Sequence, residues 1–298
     1  MTMHIGHVAL RVTDLEDAAK LYRQALGLRE VYSTPEERRL TSNGKRYELQ
    51  LLQAPVAGLD HVGLEVESAA EFEEVAPRLL AAGAERIDSF PQEEGLGPAA
   101  RFLGPADIVY EIYDGMERDP LGSDAYLQPG IRRLGHLTFF SEEHEAIVAF
   151  WVDALGFRVS DRLEGMTWTR CDSDHHGLAA GPRPGGSVLH HTAWEVQDLG
   201  ALAQYCDDLA RHDLALGWGP VRHGPGFNIA TYLPDRDGAM IEVYTDLLKI
   251  YDERSYVPVD WSQTPAALNM WGPGPDESVL TAGVPPMPPI EVAEGVGS

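Results

Sequence analysis

Cysteine is scarce in this chain of 298 residues. Cys171 and Cys206 are its only two, too few for a disulfide scaffold, so a reducing cytoplasm is the expected setting. Positive charge is scarce as well: 23 Lys and Arg stand against 47 Asp and Glu, a net charge of −24. That argues against a basic nucleic-acid surface and against a polybasic membrane anchor. The acidic excess speaks to solubility and self-repulsion and says little about fold or chemistry. No apolar run reaches the length of a membrane span, and the opening MTMHIGHVALRV lacks the charged start and long apolar stretch of a secretory signal. A soluble globular protein of about two domains is therefore expected. Histidine is what the chain does have: eleven, most of them from His136 onward.

Four segments share one shape: IGHVALRV at 5–12, LDHVGLEV at 59–66, LGHLTFFS at 134–141 and LHHTAWEV at 189–196. Each carries a His followed by alternating residues of strand character. Helical patterns follow. Asp14 can cap the first, with Leu15, Ala18, Tyr22, Ala25 and Leu26 as its apolar stripe and Gly27 as its stop. Ser68 with Glu71 reads as a capping box for the second, which closes at Gly83. The third runs from Ile147 to Gly156, and the fourth through Leu199, Leu202, Tyr205 and Leu209 without a glycine stop. Strand-like stretches come next, at 46–53, 106–113, 175–181 and 239–246.

The two halves keep the same spacing. His7 and His61 are 54 residues apart and His61 and Glu111 are 50 apart; His136 and His191 are 55 apart and His191 and Glu242 are 51 apart. The expected fold is α+β: four tandem βαβββ modules in two domains, residues 1–120 and 131–247, each curving its sheet around a cavity. The boundary falls in the Gly/Pro-bearing stretch 114–133. Residues 248–298, with VPPMPP at 284–289, read as a tail without a core of its own that can serve as a lid, Trp261 and Trp271 being the candidates to cover the pocket.

Alternation along a strand places His136, His191 and Glu242 where one cavity could receive all three. Two imidazoles and a carboxylate with open positions suit non-haem Fe(II), and Mn²⁺ or Zn²⁺ could use the same set. The first half carries the same trio, His7, His61 and Glu111, so the trio alone does not choose a half. Its surroundings do. His176, His223 and Tyr232 can serve as acids, bases or hydrogen-bond donors, whereas the first-half positions counted to the same spacing are Arg46, Gln92 and Arg101. The second half is therefore expected to be the catalytic one. Trp168, and Phe227 and Asn228 in a Gly/Pro-rich loop, are candidates for the pocket wall, with core or plain loop roles as the alternative. Strand alternation sends His175 and His190 to the face opposite their neighbours; His4, His144 and His212 belong to surface or helix positions.

With those residues in place, the chain resembles the vicinal oxygen chelate superfamily and, within it, the type I extradiol (catechol 2,3-) dioxygenases. The motif ending in the carboxylate ligand is matched by Val221, His223, Tyr232, Asp235, Gly238 and Glu242. Arg236 stands where a Pro is usual, and Thr231 where an apolar residue is, departures that concern loop detail. The resemblance implies Fe(II), or Mn(II), held by His136, His191 and Glu242. It implies His176 as the acid/base near bound oxygen, and His223 and Tyr232 as hydrogen-bond partners of the substrate oxygens. The substrates implied are a catechol and O2, the product a ring opened beside its two hydroxyls, and the assembly a homo-oligomer such as a tetramer. The stretch 219–246 with WSQTPAALNMWG (261–272) is most similar to the homoprotocatechuate branch, but Trp218 occupies the place of that branch's carboxylate-binding Arg. The other readings are a glyoxalase-like isomerase or lyase, whose family draws ligands from both halves, and a non-catalytic small-molecule binder.

Overall fold

Local sequence signals set the helices. In α1 (Leu15–Leu26) the Asp14 carboxylate accepts the Asp17 N–H, and Gly27 ends the helix at φ +65°. Ser68 caps α2 (Ala69–Ala81) by accepting the Glu71 N–H. Asp198 caps the fourth-module helix in the same way, and Asp213, at φ +55°, adopts the left-handed turn that the missing glycine would have supplied. Leu199, expected on that helix's apolar stripe, is 52% exposed because it sits in the first turn, beyond the reach of the core.

The computed structural model describes residues 3–91, 93–118 and 130–289. The first module is β1 (Met3–Val12), α1, β2 (Arg29–Ser33), β3 (Glu37–Thr41) and β4 (Leu49–Gln53). The second is β5 (Gly58–Val66), α2, β6 (Glu85–Ile87), β7 (Ala99–Leu103) and β8 (Val109–Asp114). The third is β9 (Ile131–Ser141), α3 (His144–Asp153), β10 (Arg158–Leu163), β11 (Met166–Arg170) and β12 (Leu178–Pro182). The fourth is β13 (Val188–Val196), α4 (Leu199–Arg211), β14 (Trp218–Arg222), β15 (Ile229–Pro234) and β16 (Met240–Thr245).

Each module pairs its first and last strands in parallel, and two modules join through antiparallel β1–β5 or β9–β13. The results are an eight-stranded sheet, β2-β3-β4-β1-β5-β8-β7-β6, and a nine-stranded one, β14-β15-β16-β13-β9-β12-β11-β10-β17, where β17 is Val259–Asp260. One face of both sheets and the four helices share a single core that includes Leu10, Leu64, Phe139, Trp151 and Trp194. The Trp151 indole donates to Tyr110 Oη across the two halves (2.8 Å). The histidines and carboxylates take the other face.

Two β-bulges recur in each half and aim that other face. In β13, Leu189 pairs with Phe139 and His191 with Thr138, which leaves His190 out of register. In β5, Leu59 pairs with Leu10 and His61 with Ala9, which leaves out Asp60. The partner strands skip Gly135 and Gly6. Bulges of this kind re-aim side chains and sharpen the bend of the sheet. Each glycine also has a steric reason: a Cβ on Gly135 would lie 1.8 Å from Tyr244 Oη, and one on Gly6 would lie 1.8 Å from Tyr113 Oη.

The tail is more integrated than its composition suggests. Val284 exchanges hydrogen bonds with Leu189, and Pro285 and Met287 bond Leu59, so one strand-like run bridges the equivalent strands of both halves. Its short helix α5 (Glu277–Leu280) buries Val279.

Overpacking of this order costs about 1–3 kcal/mol. Gly135→Ala is therefore expected to lower the urea midpoint by a corresponding amount, with partial recovery in Gly135→Ala/Tyr244→Phe. An unchanged midpoint in the single variant would refute the steric role.

Candidate metal centre

One chemically active residue stands on each of several neighbouring strands of the second sheet. Tyr232 is on β15, Glu242 on β16, His191 on β13, His136 on β9 and Trp168 on β11, with His223 just after β14 and His176 just before β12. Curvature of consecutive strands brings them to one buried cavity.

His136 Nε2 and His191 Nε2 lie 3.3 and 3.1 Å from Glu242 Oε2. All three ligand atoms are within 4.8 Å of one another, and the three side chains are buried. Ligands about 2.1 Å from one ion at right angles stand roughly 3.0 Å apart, so this donor set fits one face of an octahedral divalent ion. Burial alone would raise the Glu242 carboxyl; the His136 and His191 rings overcome that and hold it well below the ordinary range. Asn228 donates to Glu242 Oε1 (3.0 Å), which turns Oε2 toward the imidazoles.

The tautomer of His191 is set from behind. His190 Nε2 lies 2.7 Å from the Val279 carbonyl, which can only accept, so that nitrogen carries the proton. His190 Nδ1 is then a lone pair and accepts from His191 Nδ1–H (2.6 Å), leaving His191 Nε2 bare toward Glu242. This is the outer support that metal-bound histidines characteristically have. His136 has no such bond at Nδ1; the rings of His176 (4.3 Å) and Tyr244 (4.8 Å) hold its plane.

The same logic orders His223. Its Nδ1 donates to the Leu268 carbonyl (2.6 Å), so Nε2 accepts the Tyr232 hydroxyl (2.8 Å). Burial pushes the Tyr232 phenol well up and the His223 imidazole down, so both are neutral near pH 7. His176 is pushed well down, chiefly by burial and then by His136. Its Nδ1 is 3.0 Å from His175 Nδ1, and His175 Nε2 is 3.1 Å from Asp161 Oδ2. Asp161 in turn accepts from the tail, through Trp261 Nε1 (2.7 Å) and Tyr256 Oη (3.0 Å).

The cavity brings together His136, His176, His191, His223, Tyr232 and Glu242, with Trp168 and Asn228 in its wall. Phe227 is not in the wall. At φ +55° its side chain turns outward, is 43% exposed and packs edge-on against Trp261. His190 does line the cavity, contrary to strand alternation, because the bulge puts two successive side chains on one face. His175 and His176 precede β12 in an irregular segment, and His176 lines the cavity while His175 stands behind it. The tail covers the cavity through Leu268, Pro275, Val279 and Leu280, not through Trp261, whose indole is tied to Asp161, or Trp271, which is 56% exposed. Trp218, unassigned beyond its departure from the homoprotocatechuate branch, stacks on Tyr232 (5.2 Å, 27°).

The first half repeats the trio with a different centre. His7, His61 and Glu111 are fully buried and mutually close. Register places Arg101 opposite Glu111 as it places Tyr232 opposite Glu242, and Arg101 Nε donates to Glu111 Oε1 at 2.7 Å. Arg46 lies 4.0 Å from Glu94 at the surface, and Gln92 is outside the described residues.

Residues 4–112 and 133–243 match the Glyoxalase/Bleomycin resistance protein/Dioxygenase superfamily. The chain is 27% identical to Metapyrocatechase 2 of Cupriavidus necator over 90% of its own length and 88% of that protein's. It is 26% identical to a manganese-dependent 2,3-dihydroxybiphenyl 1,2-dioxygenase of Geobacillus genomosp. 3, covering 87% and 89% of the two chains. Among solved structures, homoprotocatechuate 2,3-dioxygenase from Arthrobacter globiformis matches with a TM-score of 0.86 at 23% identity over 96% and 95% of the chains. A Mn(II)-bound glyoxalase from Novosphingobium aromaticivorans gives 0.84 at 24% identity over 93% of each. These two structures share the fold.

Burial, and after it His191, pushes His190 down to about 3. An unfolded histidine titrates near 6.5. Below that pH the unfolded chain binds the proton that folded His190 refuses, so its contribution is complete above about pH 6.5 and erodes toward pH 3. The slope for one such group is about 1.4 kcal/mol per pH unit. The urea midpoint of metal-free protein is expected to fall between pH 7 and pH 5, less steeply in His190→Gln; equal slopes would contradict the assignment.

Proposed function

The chain belongs to the Glyoxalase/Bleomycin resistance protein/Dioxygenase superfamily, and we propose that it is an extradiol dioxygenase that opens a catechol ring beside its two hydroxyls with both atoms of O2. The observation that carries this reading is the facial His136–His191–Glu242 set in one cavity with three further protic side chains, His176, His223 and Tyr232. The relatives named for metapyrocatechase and dihydroxybiphenyl dioxygenase activity support it. Fe(II) is the assigned metal, with Mn(II) as the alternative; the relatives include an iron-dependent extradiol dioxygenase of Rhodococcus jostii as well as the manganese-dependent protein. Against a glyoxalase-like isomerase drawing ligands from two halves stands the guanidinium of Arg101 in the first-half trio.

When bound, the metal supplies Lewis acidity that lowers the pKa of a catechol hydroxyl, and adjacent positions for the diol and for O2. The chain's own residues handle protons and orientation. Neutral His176 would take the proton a catechol releases on binding and hold it within reach of the oxygen atoms of the reaction, returning it to the ring-opened product. Tyr232, its phenol held protonated, donates its one O–H to His223 Nε2, which aims the hydroxyl so that its oxygen can accept from a catechol hydroxyl. Trp218, stacked behind Tyr232, fixes the phenol plane and closes that side to water. Overall, one ring C–C bond adjoining the diol is broken and two oxygen atoms are gained, giving an open-chain hydroxymuconic semialdehyde-type product.

The walls beyond the diol site are apolar, with Phe140, Met166, Trp168, Trp218, Leu268 and Val279, and no Lys or Arg lines them among the described residues. A carboxylate there would be desolvated without a partner. The substrate class is thus a catechol bearing an uncharged apolar substituent. Residues 131–247 are assigned as the catalytic unit, 1–120 as the non-catalytic one and 248–298 as its cover. We assign a cytoplasmic homo-oligomer, in which Tyr251, Val257 and Trp271 (83%, 76% and 56% exposed) are available for burial between subunits. Among the described residues no helix is long and apolar enough to cross a membrane.

Fe(II)-reconstituted protein is expected to consume O2 and form a coloured ring-opened product with catechol, 3-methylcatechol or 2,3-dihydroxybiphenyl. The absence of both across that panel and homoprotocatechuate sinks the proposal. The best neutral catechol should exceed homoprotocatechuate at least tenfold in kcat/KM, about 1.4 kcal/mol, and Trp218→Arg should narrow the gap. His176→Phe should lose about 10²–10⁴-fold in turnover with metal content kept, whereas Glu242→Gln should lose the metal.

A further inference from the structure

The first-half trio is too well built to be an accident of core packing, and its centre is already charged. His61 Nδ1 donates to Asp60 Oδ1 (2.7 Å), which leaves Nε2 as a bare lone pair. Asp60 occupies the bulged position before His61, as His190 does before His191. The outer support of a metal-bound histidine is therefore present in both halves, with a carboxylate in one and an imidazole in the other. His7 Nε2 lies 3.0 Å from His61 Nε2 and 3.3 Å from Glu111 Oε2. Glu111 Oε2 and His7 Nδ1 are buried without a hydrogen-bond partner.

Among the described residues, one cationic side chain bonds the trio directly. Arg101, 6% exposed, donates through Nε to Glu111 Oε1 (2.7 Å), and through Nη2 to Glu93 Oε1 (3.0 Å) and His61 Nε2 (3.3 Å). One of these bonds ends on His61 Nε2, the atom a divalent ion would use, and another on Glu111 Oε1, the carboxylate oxygen beside the one that faces the imidazoles. Guanidinium stays charged at any ordinary pH. A metal ion and Arg101 in its present place would compete for the His61 Nε2 lone pair and repel each other across the Glu111 carboxylate at like charge.

We propose that the first-half cluster is a latent divalent-metal site whose cation is the protein's own Arg101 guanidinium, and that removing this charge opens the site to a metal ion. The inference rests on reading His136, His191 and Glu242 as metal ligands, since the same donor set is transferred to the other half. The wild-type chain then carries one metal ion in its second half, and the first half is held together by an internal ion pair. Each half contains a buried carboxylate between two imidazoles, and the source of the positive charge that meets it differs.

The test is metal stoichiometry on the full-length chain, loaded with Mn(II), freed of excess by gel filtration and measured by elemental analysis. The expected contents are one per chain for wild type, two for Arg101→Gln, one for Arg101→Gln/Glu242→Gln and none for Glu242→Gln. Two ions in wild type, or one in both wild type and Arg101→Gln, overturn the proposal. If wild type and Glu242→Gln both hold none while Arg101→Gln gains one, the latent site stands and the second-half assignment falls. Because Arg101→Gln leaves Glu111 buried without its partner, a melting measurement runs beside it. In the Glu242→Gln background, Arg101→Gln should melt lower in EDTA and regain temperature with Mn(II), and adding Glu111→Gln should abolish the Mn(II) response. A chain lacking Arg101 that neither takes up Mn(II) nor folds in its presence counts against the proposal.

Discussion

A carboxylate sealed from water between two imidazoles must be met by positive charge, because burying an unpaired anion costs several kcal/mol even after relaxation. Glu242 and Glu111 are both in that position, each buried on the concave face of its sheet. Much of the second half can be understood as a consequence. Asn228 turns the carboxylate, His190 leaves His191 with a bare nitrogen, and apolar walls keep the cavity dry enough for those interactions to be strong. In the first half the same demand is met from within by Arg101. The two halves are therefore two solutions to one electrostatic problem, and the difference between them is carried by the pair Arg101 and Tyr232 at equivalent register.

Geometry serves that demand through irregularity in the sheets. A regular strand shows alternate residues to one face, which would give His61 and His191 no supporting neighbour from their own strands. The bulges at Asp60 and His190 present two successive side chains together, and the opposing glycines leave room for Tyr113 and Tyr244 to stand behind His7 and His136. These bulges occur at the same place in both halves, which ties them to the duplicated plan. The tail contributes support as well as cover. Asp161, which backs His175 and through it His176, receives hydrogen bonds from Trp261, Tyr256 and the Val259 backbone, while the Val279 carbonyl sets the His190 tautomer. The arrangement of the second-half cavity therefore depends on a segment outside its repeated strands.

Much of this was readable before any coordinates. The repeat of His-bearing strands, the helix caps at Asp14 and Ser68, and the 54/50 and 55/51 spacings determine four βαβββ modules and two histidine–carboxylate trios. Spacing carries that information because strand pairing repeats the same register in each module. The identities of Arg101 and Tyr232 already distinguish the halves, since one is a fixed cation and the other a neutral donor. What only the tertiary structure decided is which neighbours act together. Alternation places His190 on the wrong face, because a one-residue bulge cannot be read from periodicity. Phe227 turns outward on a positive φ, and the cover comes from Leu268, Pro275, Val279 and Leu280 in place of the tail tryptophans. The Arg101–Glu111 contact likewise joins two strands through antiparallel pairing. Composition and spacing name the donors; bulges, side-chain rotation and the path of the tail decide what stands behind each one and which cation each buried carboxylate meets.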